Sequence, residues 1–158
     1  MDENISQEPQ QQRPTGDELR RQRHESRTGT TWKAFLRDLC QLGGWDEAFA
    51  ERATVTVMCH LERRIMADEV RDLNAQLPVK LQEQLGSCSV QHGEKPEKYG
   101  RDEFIRRVAG DLGDQGGDVE KVVRTVFECV RNHLSEGEAE DVAHQLPGDL
   151  EALWRRPS

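Results

Sequence analysis

Long apolar runs are missing from this chain: nowhere do the 18 or so consecutive apolar residues of a membrane span occur. The N-terminus also lacks the charged-then-apolar pattern of a secretory signal, so a cytoplasmic location is expected and a membrane is not an expected partner. Aromatic side chains are few, with three Trp, one Tyr and four Phe in 158 residues. Positive charge is in deficit throughout: −1 for residues 1–30, −2 for 31–99 and −5 for 100–158, which gives the net −8. Binding a phosphate backbone needs a cationic surface that releases counterions, so nucleic acid is not an expected partner either. There is no Cys-x-x-Cys pair, and Cys40, Cys59, Cys88 and Cys129 are expected as reduced thiols in a cytoplasmic setting. A Gly-rich phosphate loop, Gly-x-Ser-x-Gly and His-Glu-x-x-His are absent too, and the Gly-Gly pairs at 43–44 and 116–117 read as helix punctuation.

Residues 1–30 hold almost no apolar side chains beyond Met1, Ile5 and Leu19. Ordering such a segment costs roughly 1–2 kcal/mol per residue with little burial to offset it. A disordered polar tail is therefore expected there. Its run Arg20, Arg21, Arg23 and Arg27 is diluted by Glu18 and Glu25 and reads as solvated.

What is present is a repeat. A shift of 69 residues aligns Phe35 with Phe104, Arg37 with Arg106, Gly44 with Gly113 and Glu51 with Glu120. The match continues without a gap through Thr56-Val57 and Thr125-Val126, Glu69 and Glu138, and Asp72 and Asp141. Gln76-Leu77-Pro78 then meets Gln145-Leu146-Pro147, and Leu81 meets Leu150. Twelve identities over the 51 positions from Phe35 to Leu85 compare with roughly three expected from composition.

Each unit reads as four helices. The first begins near Thr31, carries Trp32, Phe35, Leu36, Leu39 and Leu42 on one face, and stops at Gly43-Gly44; its counterpart carries Phe104, Ile105, Val108 and Leu112 and stops at Gly113. The second is the longest. Val119, Val122, Val123, Val126, Phe127, Val130 and Leu134 recur at spacings of three and four, a helical stripe and not a strand alternation. Ala50, Ala53, Val57, Met58, Leu61 and Ile65 fill the equivalent places, with Asp46 and Asp118 as N-caps.

Ser135-Glu136-Gly137-Glu138 has the form of a capping box opening a third helix that turns Ala139, Val142 and Leu146 inward. In the first copy Met66 replaces the serine, so Asp68 is expected to cap a slightly shorter helix bearing Val70, Leu73 and Leu77. Pro78 and Pro147 end these helices and open short final ones that bury Leu81 and Leu85, or Leu150, Leu153 and Trp154.

The expected organisation is a tail over 1–30, a first repeat over 31–85, a linker over 86–99 and a second repeat over 100–158. A unit of about 52 residues is marginal alone. The fold class is therefore all-α, with two pseudo-symmetric four-helix repeats packed into one helical bundle.

The run Phe-Ile-Arg-Arg-Val-Ala at 104–109, the long helix, and the stretch from Leu134 through Ser135-Glu136-Gly137-Glu138 to Trp154 resemble a bacterial family, the domain-of-unknown-function family numbered 2267. The resemblance covers about residues 31–158 and includes the tandem arrangement. The first copy departs from it at Ile65-Met66-Ala67, where the capping serine and the glycine are missing. The resemblance implies an α-helical fold and supplies no activity, cofactor or catalytic residues.

Candidate chemistry is thin. Cys129 and His133, four apart on one helical face, make half a zinc site, and His60 occupies the place equivalent to Cys129, so His60, Cys129 and His133 are the metal candidates. Against them stands Arg64 in place of a second histidine, and packing is the commoner fate of such residues. Cys59 and His60 point about 100° apart and cannot share a proton directly; Cys59 is expected as an exposed thiol. Cys88 and His92 fall in the linker, without partners.

Glu69/Glu138, Asp72/Asp141 and Gln76/Gln145 stand out because both copies keep them. A structural role is expected, the glutamines satisfying carbonyls where proline breaks the helix and Glu138 completing a cap. Acid–base work by the carboxylates is the weaker alternative. No cofactor is expected. The leading functional reading is a non-enzymatic module for protein interaction or regulation, and its rival is a carrier of a small ligand, metal or cofactor between the two halves.

Overall fold

Capping side chains mark where the helices begin. Thr31 Oγ1 accepts from the Ala34 N–H at 3.1 Å, Asp46 Oδ1 from Phe49 at 2.8 Å and Asp118 Oδ1 from Lys121 at 3.2 Å. Each satisfies an N–H that has no carbonyl within its own helix. The computed structural model describes residues 31–90, 96–113 and 117–155, with the backbone alone for 87–90. Among the described residues there are eight helices and no strand. They are α1 (Trp32–Gly43), α2 (Glu47–Glu62), α3 (Ala67–Asn74), α4 (Val79–Val90), α5 (Arg101–Leu112), α6 (Val119–Asn132), α7 (Glu136–His144) and α8 (Gly148–Trp154). None is long and apolar enough to cross a membrane. The expected tail over 1–30 with its arginine run, as well as the Cys88 side chain, His92 and Gly116, lies outside the described residues.

Helices α1 and α5 end on Gly44 (φ 67°) and Gly113 (φ 63°), a left-handed backbone that glycine adopts without steric cost. The 69-residue offset that aligns the halves in sequence also aligns the order of their helices, α1–α4 with α5–α8.

The packing crosses between halves. Helix α1 lies on α2 and also on α6, while α5 lies on α6 and also on α2; α2 and α6 meet at the centre and α3 meets α7. The apolar stripes therefore merge into one core. It contains Phe35, Leu39, Val57, Met58, Leu61 and Leu73 from the first half and Phe104, Val108, Val126, Phe127, Val130 and Trp154 from the second, all 0–1 % exposed.

Polar contacts hold the same crossings. Arg52 on α2 donates to the last carbonyls of α5, Asp111 at 3.0 Å and Leu112 at 3.3 Å, where the helix dipole favours a cation. The segment before α5 docks on the end of α2. The Tyr99 hydroxyl donates to the His60 carbonyl at 2.6 Å, and Arg64 Nε donates to the Tyr99 carbonyl at 2.8 Å.

Several expectations need correction. Leu42 is 44 % exposed, because it sits in the last turn of α1 beyond the cover of the neighbouring helices. Helix α4 continues through Gly86 to Val90, into the expected linker. Tyr99, also placed in that linker, is buried and anchors it to α2. Cys59 is no exposed thiol: it is half-buried against the core and disulfide-bonded, whereas Cys40 and Cys129 are free. Asp68 does not cap α3, which starts at Ala67 with Met66 in the cap position.

Glu62 is 1 % exposed near the end of α2. Burial pushes its carboxyl up to about 8, offset in part by a hydrogen bond with Asn74. The native state thus keeps a proton that the unfolded chain releases near 4.5. This contribution to stability is fully present below about 4.5 and is lost progressively as pH rises to about 8. Urea unfolding across that range should show stability falling by on the order of a few kcal/mol. Glu62→Gln should flatten the slope and raise stability at pH 8; an unchanged slope in the variant would refute the assignment.

Candidate functional site

The polar residues that both halves share converge at the contact between α3 and α7. Pro78 and Pro147 end the turns that follow these helices, which places Gln76 and Gln145 just past the helix ends. From there each glutamine reaches the other half. Gln145 Oε1 accepts from the Met66 N–H at 2.7 Å, and Gln76 Oε1 accepts from the Ser135 N–H at 2.8 Å. Met66 and Ser135 are the N-cap residues of α3 and α7. The expected role of these glutamines is corrected accordingly: they satisfy N–H groups of the opposite half, not carbonyls of their own.

This exchange alters the capping box. Ser135 Oγ accepts from the Glu138 N–H at 3.1 Å, as the box requires. The return bond is taken by Gln76, because the Ser135 N–H is already engaged. Glu138 is thereby released, and it lies beside Glu69.

Glu69 is 9 % exposed and Glu138 6 %. Oxygen atoms of Glu69, Glu138 and the exposed Asp141 all lie within 4.8 Å of one another. The Gln145 Nε2 approaches Glu69 Oε1 at 3.4 Å, while Oε2 of both glutamates is buried and accepts no hydrogen bond from any other described group. Two carboxylates cannot bond to each other unless one carries a proton. Burial first, then a hydrogen bond shared with the Glu69 carboxyl and the negative charge of Glu69, Asp72 and Asp141, hold Glu138 well above the usual carboxylate range. Among the described residues no Lys, Arg or His forms an ion pair with Glu69, Asp72, Glu138 or Asp141.

A family model described as "Uncharacterized conserved protein (DUF2267)" matches residues 32–153, from the first residue of α1 into α8. The chain belongs to this family. No curated protein matches it.

In this DUF2267 chain the three metal candidates of the sequence have separate partners, His60 on α5 and Cys129 and His133 on α1. His60 Nε2 lies 2.6 Å from Asp111 Oδ2 on α5. Cys129 is fully buried; its Sγ donates weakly to the Phe35 carbonyl at 3.8 Å, and burial pushes the thiol up to about 12. His133 Nε2 lies 3.0 Å from Asp38 Oδ2 on α1, with its ring against Phe35. Among the described residues, the group whose ligand-type atoms converge is Glu69, Glu138 and Asp141 and contains none of these three. Cys59, being disulfide-bonded, forms no thiol–imidazole pair with His60.

Each interhalf glutamine bond satisfies an N-cap N–H. Gln76→Ala and Gln145→Ala should each lower unfolding free energy by about 1 kcal/mol. Gln41→Ala, at an exposed position on α1, should stay within about 0.5 kcal/mol of the parent. Denaturant titration checks all three; equal effects of Gln76→Ala and Gln41→Ala would show that the cross-half bond adds nothing.

Proposed function

We propose that this DUF2267 chain is a non-enzymatic protein-interaction or regulatory module built from two tandem copies of a four-helix unit. The observation that carries the reading is a groove of about 560 Å³, open to solvent between α1, α2 and α4. Trp32, Leu36 and Val79 supply its apolar wall, and Lys33, Lys80, Glu47, Glu51 and Glu83 surround it with both signs of charge. An apolar centre rimmed by charge suits a polypeptide segment that inserts one or two large side chains. A second open groove, of about 580 Å³, has Trp45 and Phe49 in its wall, their rings edge to face at 5.0 Å. A cytoplasmic setting is part of the proposal; within it the Cys59 disulfide is exposed to reduction by cellular thiols. The rival reading, a carrier of a ligand or metal between the halves, is favoured by the acidic contact of α3 with α7.

Lys80 and Glu83 are exposed on α4, so exchanging their charges tests the groove without touching the core. Affinity capture with the parent chain and with a Lys80→Glu, Glu83→Lys variant should recover a partner that the variant loses about tenfold or more. The same proteins recovered equally by both chains would contradict the proposal.

A further inference from the structure

We infer that the contact between α3 and α7 is a binding site for one hard divalent cation, of the Ca2+ or Mg2+ class, held by the carboxylates of Glu69, Glu138 and Asp141. Three carboxylate oxygens from two helices lie within 4.8 Å of one another. A calcium ion with metal–oxygen bonds of about 2.4 Å can bridge oxygens up to about that far apart. Acidic clusters are common on protein surfaces, but two of these residues are more than nine-tenths buried and each has an Oε2 that accepts no hydrogen bond from any other described group. Buried charge of one sign with no cation from the described residues paired to it is costly, and a bound cation removes that cost.

The surroundings fit the same ligand. The Gln76 bond to Ser135 takes the task that would otherwise turn Glu138 back onto its own helix. Asp141 is exposed and gives the site a mouth to solvent. Asp72 follows Glu69 by three residues as Asp141 follows Glu138, so a fourth carboxylate stands on the adjoining face of α3, also exposed. The donors are oxygen only. That set selects hard ions over zinc or copper, which prefer the imidazole and thiolate groups placed elsewhere in the fold. Since Glu69 comes from one half and Glu138 with Asp141 from the other, the ion ties the halves together. This inference is independent of any protein partner at the grooves.

The test uses the full chain, stripped with a chelator and dialysed, then titrated calorimetrically with CaCl2, MgCl2 and MnCl2, each followed by a thermal melt. At least one ion should bind saturably at one per chain and raise Tm as its concentration passes Kd. A Glu69→Gln, Glu138→Gln variant with unchanged helical circular dichroism should lose the heat and the Tm shift. Asp141→Asn, which leaves the buried pair intact, should weaken binding by about tenfold. No saturable binding of any of the three ions up to about 10 mM to folded protein would overturn the inference and leave a proton shared by Glu69 and Glu138 as the occupant. Equal binding by the parent and the double glutamine variant would overturn it as well.

Discussion

The first helix of each half cannot cover its apolar stripe with its own half alone. Phe35 and Leu39 on α1 are fully buried because α6, from the other half, closes over them together with α2. Phe104 and Val108 on α5 stand in the reciprocal position against α2 and α6. Truncating a buried phenylalanine typically costs about 3–5 kcal/mol, which is a large share of the stability of a domain of this size. The crossing of α1 and α5 onto opposite halves is therefore the constraint from which the rest of the architecture follows. It brings α2 against α6 at the centre and leaves α3 and α7 to meet at one side.

At that side the contact is polar. Gln76 and Gln145 exchange bonds between halves, and each accepts from the N-cap N–H of the opposite half, the bond that Glu138 or Glu69 three residues on would make in a capping box. At the start of α3 the Gln145 Oε1 accepts from the Met66 N–H, the bond that Glu69, three residues on, would return in a capping box. Ser135 has a capping partner three residues on, yet Gln76 takes the place and frees Glu138 to face Glu69. A pair of buried carboxyls that face each other is thus a consequence of the cross-capping.

Much of this was legible in the sequence because the signals were local. The three- and four-residue spacing from Val122 to Val130, the helix start near Thr31, the caps at Asp46 and Asp118, and the terminators Gly44 and Gly113 each depend on residues within a turn or two. What escaped depends on partners far along the chain. The role of Gln76 needs Ser135, 59 residues away, and the burial of Tyr99 needs the His60 carbonyl, 39 away. Leu42 carries the right periodicity but lies past the reach of its neighbours, a matter of helix position that spacing does not encode. The carboxylate cluster was visible as repeated residues, and its convergence was not. Glu69 and Glu138 meet only through the packing of α3 on α7.

A shared core makes the halves interdependent, and separating them tests this most directly. Residues 31–90 and 96–158 would be produced as individual chains and melted alone and after mixing, with helical circular dichroism as the readout. The account predicts that each piece alone is largely unfolded or melts without cooperativity, and that mixing restores helix and a single transition. Two pieces that each melt cooperatively near the Tm of the intact chain would contradict it.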